Sequence, residues 1–364
     1  MPASRATLST GRKALIGAIA TTLALLLVEI VCRVALSIAP QPPNERMASA
    51  ASVFVHIAGL TRADVDELFQ PDPFLFWRIR PSVHGLPWRP PLWIDCRSNG
   101  LGLRDDECSR ARPRDAYRVL ALGDSCTYGS GVLMADSYPN RLEVRLNFAR
   151  QQRRNEVLNA GCPGYTLFQG LTFLRSDGFA LQPQLVTVAF GFNDRNTWGA
   201  LSDAEFSARQ NTPLARLGRA LERLATVRAM RFGLATVQAA PVEGPINGTR
   251  PRVPADEFEQ LLGVLVNECR ARAIPVVILL WPLRPQIEGD GSRGSQPTDE
   301  RHAWQAAMQA VAERDHVPLL DLITRLRAET GLFIDNCHMT TKGCDRVADE
   351  LFKLLTAEHL ADPR

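Results

Sequence analysis

Five short apolar runs, separated by longer amphipathic stretches, constrain the fold of this 364-residue chain more than any other sequence feature. The runs cover residues 117–122, 156–160, 184–190, 274–280 and 317–322. Apolar runs of this length are typical of strands buried on both faces of a sheet, and helices between them connect parallel strands. The pattern therefore predicts a layered α/β fold around a mainly parallel sheet.

Helices are predicted between and after these strands. The segments with helical character are 137–152, 166–179, 254–273, 302–314 and 346–358. Two further stretches, 238–253 and 283–299, interrupt the alternation, and their Pro, Gly and Arg content favours mobile loops. The glycine-rich part of the second stretch, 289–294, lacks the G-K-[ST] ending of a phosphate-binding loop.

The N-terminus carries the sequence signal of a membrane segment. Residues 14–28 are uncharged, three basic residues precede them, and the apolar pattern continues to Ala39 with two interruptions, Glu29 and Arg33. These two residues are four apart, so on a helix they share a face and can pair. The stretch is long enough to span a bilayer, and the basic residues before it favour a cytoplasmic N-terminus with the rest of the chain outside. A cleaved signal peptide and a buried soluble helix are the alternative interpretations.

Charge and cysteine content exclude several other functions. Residues 1–48 hold five basic and two acidic side chains, which accounts for the whole net charge of +3 and leaves a neutral remainder. The sequence therefore predicts no nucleic-acid partner. The eight cysteines form no C-x-x-C motif, so neither a metal nor a cofactor is predicted. Outside the cytoplasm disulfides are permitted, and the pairs nearest in sequence are Cys96 with Cys108 and Cys337 with Cys344.

Polar residues and glycines follow the first three predicted strands, where parallel sheets place their reactive groups. Gly123-Asp124-Ser125 follows the first strand, Gly164 closes a Pro-Gly turn after the second, and Asn193 follows the third. At a strand end a serine hydroxyl is accessible, a glycine N–H can approach a ligand closely, and an asparagine amide can donate to an oxyanion. Each residue also has a structural alternative: a helix N-cap for Ser125, a turn for Gly164 and a left-handed turn residue for Asn193.

Asp335 and His338 form a fourth signal, between the last apolar segment and the closing helix. A carboxylate three residues before a histidine can fold back onto the imidazole, fix its tautomer and stabilise its protonated form, as a general base requires. A surface or capping histidine is the alternative. The other five histidines have no such partner nearby in the sequence, so we interpret them as structural.

In this order, the four signals resemble the motifs of the SGNH, or GDSL-type, hydrolase family, over about residues 117–355. Cys126 stands where the family's nucleophile motif has leucine. The resemblance implies a flavodoxin-like, three-layer α/β/α sandwich with a five-stranded, mainly parallel sheet. The segments before residue 117 resemble a membrane-anchored bacterial branch of the family. An α/β-hydrolase fits less well, because it requires G-x-S-x-G and normally places its acid far from its histidine in sequence.

The expected organisation has four parts. They are a membrane anchor or signal at 1–40, a linker at 41–70, an extension packed on the core at 71–116, and a hydrolase domain at 117–358. The anchor would place the hydrolase domain on the periplasmic side of the membrane.

The resemblance also implies residue roles. Ser125 would be the nucleophile, His338 its base and Asp335 the acid that orients the histidine, and the oxyanion hole would consist of Ser125, Gly164 and Asn193. The enzyme would be a serine esterase that hydrolyses an acyl ester, for example an O-acetyl ester, of an extracytoplasmic small molecule, lipid or polysaccharide. An O-acyltransferase acting on an envelope polysaccharide is the alternative, because the same triad would form the same acyl-enzyme. A binding module without activity is a third hypothesis, against which the filled motif positions argue.

Five further residues near the motifs are assigned secondary roles. Asp124 and Asp194 are expected to be hydrogen-bond acceptors that fix the turns. Arg195, Trp198 and Arg252 are candidates for lining the substrate pocket.

Overall fold

The structure is a computed structural model that describes residues 10–38, 45–56, 59–85, 89–210, 212–213, 224–227, 229–230, 248–289 and 302–361. Most of the two loops expected at 238–253 and 283–299, and the start of the expected linker, lie outside the described residues. The chain divides into two compact units, Met1–Pro42 with Ala208–Val242 and Pro43–Ser207 with Glu243–Arg364.

The first unit contains a long apolar helix, α1 (Thr10–Ile38). Its segment Thr10–Ala35 is long and apolar enough to cross a membrane, and a signal sequence has the same properties. Arg33 Nε donates to Glu29 Oε1 at 3.0 Å, which confirms the expected pairing on one helix face. Glu29 also accepts hydrogen bonds from the backbone N–H groups of Ala225 and Thr226, so its charge is satisfied within this unit.

The second unit is a three-layer α/β/α sandwich around a five-stranded sheet, which confirms the expected fold. The strands are β3 (Ala116–Gly123), β4 (Arg154–Gly161), β5 (Leu185–Ala189), β6 (Val276–Leu280) and β7 (Leu319–Asp321). Their order is β4-β3-β5-β6-β7 and every pairing is parallel. Nearly every residue of the three central strands is fully buried, because helices cover both faces of the sheet.

Two groups of helices cover the sheet. On one side α5 (Tyr138–Ala149) packs against β4 and against the closing helix α12 (Thr341–Ala357). On the other side α6 (Leu167–Phe173), α8 (Ala255–Arg270) and α10 (Ala303–Asp315) pack together. Short helices described after residue 115 are α4 (Ser125–Tyr128), α7 (Asp203–Gln210), α9 (Arg284–Ile287) and α11 (Leu322–Arg325).

The closing helix begins five residues earlier than its apolar pattern indicates. Thr340 is its N-cap, and the side-chain oxygen of Thr340 accepts a hydrogen bond from the backbone N–H of Gly343. This capping bond satisfies a donor of the first helical turn, so the helix begins at Thr341 instead of residue 346.

The segment that reads as a linker in the sequence is largely structured. Within residues 45–56 and 59–79 lie α2 (Glu45–His56), α3 (Arg62–Leu68) and a hairpin of β1 (Phe69–Asp72) and β2 (Phe76–Ile79). Helix α2 contributes Phe54, whose ring stacks on Phe69 at 5.0 Å and contacts the edges of two tryptophans. Long-range aromatic packing, which the local Pro-rich pattern does not reveal, holds this segment.

Candidate active site

The candidate residues collect at one edge of the sheet because three neighbouring strands end there. Strand β3 leads into Asp124 and Ser125, β4 leads into the turn that contains Gly164, and β5 leads into the turn that contains Asn193. The chain runs from β3 to β4 on one side of the sheet and continues with β5 on the other side of β3. The edge beside β3 is thus the topological switch point, where open α/β sheets bind their ligands.

A chain of hydrogen bonds joins Ser125, His338 and Asp335. The Ser125 Oγ lies 2.8 Å from His338 Nε2, and His338 Nδ1 lies 2.7 Å from Asp335 Oδ2. The second oxygen of Asp335 accepts the backbone N–H groups of Cys337 and His338 at 2.9 and 2.8 Å. A tight turn therefore fixes the carboxylate, the carboxylate orients the imidazole, and the imidazole is placed to take the serine proton.

The electrostatics of these three hydrogen-bonded residues favour a negatively charged Asp335 and a strongly basic His338. Burial raises the pKa of Asp335, but the hydrogen bond and the charge of His338 outweigh it and lower the pKa to about 2. Burial lowers the pKa of His338, whereas the neighbouring Cys337 and Asp335 raise it, and the pKa lies well above the ordinary value of 6.5. The hydrogen bond from Cys126 lowers the pKa of the Cys337 thiol. His338 is therefore a stronger base than a free imidazole.

The backbone N–H groups of Ser125 and Gly164 are two candidate donors of the site. Within the described part of the chain, no protein acceptor takes the N–H of Ser125 or of Gly164. Gly164 has a φ of 78°, and a Cβ at this position would lie 3.1 Å from Trp77 and 3.2 Å from Phe54. A glycine is required here both by the left-handed backbone and by the aromatic side chains that press against the turn.

The amide of Asn193 is held by its own hydrogen bonds. Its Nδ2 donates to Asp124 Oδ2 at 3.0 Å and to the Tyr165 carbonyl at 3.2 Å. Asp124 Oδ1 also accepts the N–H of Cys126 at 2.8 Å, so one buried carboxylate links the serine turn to the asparagine turn. Burial raises the pKa of Asp124. Both amide protons of Asn193 are thus engaged, and donation to an oxyanion would exchange one of these partners.

Asp194 fixes the next turn. Its Oδ1 accepts the N–H of Leu167 and its Oδ2 accepts the N–H of Gly191, both at 2.9 Å. Burial raises the pKa of Asp194 to about 7. These contacts agree with the turn-fixing role expected from the sequence.

An aromatic cavity opens beside the histidine turn, at the carboxyl ends of β5 and β6. Phe190, Phe192, Trp281 and Trp304 contribute to its walls, together with Arg195. The indole Nε1 of Trp281 donates to the Cys337 carbonyl at 2.9 Å, which ties the cavity wall to the residue before His338. Of the three residues expected to line the substrate pocket (Arg195, Trp198 and Arg252), Arg195 lines this cavity.

The other two expected pocket residues are structural. Arg252 is fully buried, and its guanidinium lies over the Trp198 ring at 4.1 Å. Arg252 Nη1 donates to the Gly164 carbonyl at 2.6 Å, and Nη2 pairs with Asp203 at 2.8 Å. The spacing of Arg252 in the sequence gives no sign of this role, because its partners come from three distant segments. The arginine supports the Gly164 turn from behind.

Trp77 and Arg104 are two further supports that sequence reasoning missed. Trp77 donates from Nε1 to the Pro163 carbonyl at 3.1 Å, beside Gly164. Arg104 is buried and donates to the carbonyls of Tyr128 and Gly129 at 2.7 and 2.9 Å, directly after the helix that starts with Ser125. The segment before residue 117 therefore supports both the glycine turn and the serine helix.

Replacing Arg252 with methionine is expected to lower the free energy of unfolding by about 3 kcal/mol. Buried Asp203 would lose one of its two arginine partners, keeping Arg46, and the Gly164 carbonyl would lose its donor. Thermal unfolding of the purified chain, followed by circular dichroism, measures this. Arg250→Met is the matched control, since Arg250 pairs with Glu205 at the surface and such a pair is worth about 1 kcal/mol or less. Equal effects of the two changes would contradict the assignment.

Cys126, Cys337 and His338 form the one cluster of possible metal ligands among the described residues, with ligand atoms within 4.8 Å of one another. Sequence spacing could not reveal this group, because Cys126 is distant from the other two. An ion bound here would compete for the imidazole that Ser125 and Asp335 already engage. The cluster therefore does not fit a metal that takes part in serine chemistry.

Comparison with known proteins identifies related sequences and folds. The profile of the family described as GDSL-like Lipase/Acylhydrolase matches residues 121–346. No curated protein sequence matches the chain. Among solved structures, a lipase/acylhydrolase from Enterococcus faecalis is 17% identical, with 66% of this chain and 96% of that chain covered and a TM-score of 0.42. An acetylxylan esterase from Geobacillus stearothermophilus is 18% identical, with 66% and 94% covered and a TM-score of 0.41.

Proposed function

The chain belongs to the GDSL-like lipase/acylhydrolase family and is an ester hydrolase of that family, and we propose that Ser125, His338 and Asp335 perform the hydrolysis as nucleophile, base and orienting acid. The observation that carries this proposal is the 2.8 Å contact between Ser125 Oγ and His338 Nε2. A serine hydroxyl is a weak nucleophile until a base accepts its proton, and His338 is in place to do so.

The reaction proceeds in two steps. Ser125 Oγ attacks the ester carbonyl as His338 takes its proton, and the imidazolium then returns that proton to the departing alcohol. The acyl group is left on Ser125 as an ester. Water, deprotonated by His338, attacks this acyl-enzyme and releases the carboxylic acid and the free serine. Asp335 stays ionised throughout and stabilises the imidazolium that forms in each step.

The oxyanion of each tetrahedral intermediate is stabilised by three donors. They are the N–H groups of Ser125 and Gly164 and the side-chain amide of Asn193. The two N–H groups are available without rearrangement, as described above. Asn193 contributes when the oxyanion replaces Tyr165 or Asp124 as the acceptor of one amide proton.

Replacing Asn193 with alanine is expected to lower kcat by about 100- to 1,000-fold with little change in KM, because the lost donor acts on charge that develops only in the transition state. Steady-state kinetics with a chromogenic acetate ester measure both constants. The melting temperature of the variant serves as a check on folding, since Asp124 also loses a hydrogen-bond donor. A folded variant with unchanged kcat would remove Asn193 from the oxyanion hole.

The substrate is an ester outside the cytoplasm, and an O-acetyl or other acyl ester of an envelope polysaccharide or lipid fits best. Two observations support this. The helix Thr10–Ala35 is long and apolar enough to anchor the chain, and the basic residues before it favour a cytoplasmic N-terminus. The aromatic cavity, whose wall residue Trp281 donates to the Cys337 carbonyl, provides apolar walls for part of an acyl or sugar group.

An ester panel tests the function. The full chain, purified in detergent, is supplied with acetyl and long-chain acyl esters, with and without an acetylated polysaccharide, and released acid is quantified. We expect the rate of acid release to be proportional to the enzyme concentration. The Ser125→Ala variant should release no acid above background. Transfer of the acyl group to the polysaccharide without net release of acid would instead identify an O-acyltransferase, and no turnover of any ester would contradict the proposal.

A further inference from the structure

Two cysteines directly flank the proposed catalytic residues. Cys126 follows Ser125, and Cys337 precedes His338, so the two lie on separate turns 211 positions apart in the chain. Neither thiol makes or breaks a bond in the proposed mechanism. Cys126 also occupies the position at which the nucleophile motif of the family has leucine, so this pairing is a feature of the present chain.

The two thiols lie side by side inside the protein. Their sulfur atoms lie within 4.8 Å of each other, and Cys126 Sγ donates to the Cys337 carbonyl at 3.4 Å. The side chains are 5% and 2% exposed. The described cysteines form no disulfide in the structure, and the sequence spacing that makes Cys344 the nearest partner of Cys337 does not indicate Cys126. Proximity in the fold, not in sequence, selects this pair.

We propose that Cys126 and Cys337 form a disulfide that ties the serine turn to the histidine turn. The bond forms by thiol–disulfide exchange with a small-molecule disulfide such as glutathione disulfide. One thiolate attacks the disulfide and releases one molecule of reduced thiol, and the second cysteine then displaces the other. Overall two protein thiols lose two electrons and two protons, and one small disulfide becomes two thiols. An oxidising extracytoplasmic location permits this reaction.

The bond is expected to brace the site without disrupting it. Formation requires the sulfurs to approach to about 2.05 Å, which draws the two turns toward each other. Ser125 and His338 stand on the same two turns and are already in contact, so the movement keeps them together. The rest of each turn is held in place, since Asp124 binds the Cys126 N–H and Trp281 binds the Cys337 carbonyl.

Peptide mapping tests whether the bond forms. The full chain in detergent is reduced, transferred to a glutathione redox buffer over a range of urea concentrations, including refolding from full denaturation, and its free thiols are alkylated. Mass spectrometry without reduction is expected to find Cys126 joined to Cys337. Alkylation of both residues under every condition, or their pairing with other cysteines, would overturn the proposal. This result is independent of activity, so it is distinguishable from a failure of the proposed function.

The second experiment tests whether the disulfide braces the active site. This role rests on the proposed function. Oxidation is expected to raise the melting temperature by roughly 5 °C or more and to change the rate of ester hydrolysis by less than about threefold. Cys126→Leu should abolish the temperature shift, whereas Cys269→Ala, which removes a buried thiol from α8, should preserve it. Formation of the bond with loss of activity that dithiothreitol restores would overturn the bracing role.

Discussion

Replacing Ser125 with alanine is expected to lower kcat for ester hydrolysis by about 10⁴-fold or more. The reason is that Ser125 Oγ is the hydroxyl that contacts His338 Nε2, so its removal takes away the group proposed to form the acyl-enzyme. What remains is the catalysis supplied by the oxyanion donors and by substrate binding alone. Steady-state kinetics with a chromogenic acetate ester measure the loss, and a fluorophosphonate probe should label the natural chain but not the variant.

Ser130→Ala is the matched control for this experiment. Ser130 is a buried serine that lies five residues further along the chain, and its hydroxyl has no hydrogen-bond partner among the described residues. Its removal should leave kcat and labelling nearly unchanged. Substantial activity of Ser125→Ala, or probe labelling that survives in it, would assign the nucleophile to another residue.

The sequence predicted the sheet and the edge that carries the site because both depend on local patterns. Buried parallel strands are short apolar runs, and five such runs were recognisable with ends within about three residues of those observed. The turns after them must contain residues that can end a strand and begin a helix. Asp335 and His338 are three residues apart, so their contact also follows from local geometry.

The parts that the sequence did not predict depend on contacts between distant segments. Arg252 donates to the Gly164 carbonyl and forms a fully buried ion pair with Asp203. Nothing in the sequence around Arg252 distinguishes it from the other arginines of this protein. Trp77 supports the same turn from the segment expected to be an extension, 71–116. Burial and pairing of this kind arise only when the chain is folded, so spacing alone gives no signal.

The pairing of Cys126 with Cys337 has the same origin. Sequence spacing ranks cysteines by the length of the loop between them, whereas a disulfide requires that their side chains meet. Cys126 stands where the family's nucleophile motif has leucine. In the fold this position faces the residue next to His338, which is why a change that touches no reacting atom can still affect the site.

Replacing Asp335 with asparagine is expected to lower kcat/KM by about 10³- to 10⁴-fold and to shift its pH profile. His338 must be neutral to accept the serine proton, so activity rises with pH through the pKa of His338. Because neighbouring acidic groups raise that pKa, the acid limb of the natural chain should have its midpoint above 6.5. Removing the carboxylate removes one of these contributions, and the midpoint of the remaining activity should move to lower pH.

The kinetics are measured across pH 5–9, within which Asp335, with a pKa of about 2, stays ionised in the natural chain. Asp345→Asn is the matched control, because Asp345 is an acidic residue of the closing helix that pairs with Arg145 away from His338, and it should alter neither limb. A positioning role confined to packing would lower the rate without moving the midpoint. A shift of the acid limb to higher pH in Asp335→Asn would contradict the carboxylate as the group that strengthens the base, because loss of a negative neighbour cannot stabilise the imidazolium.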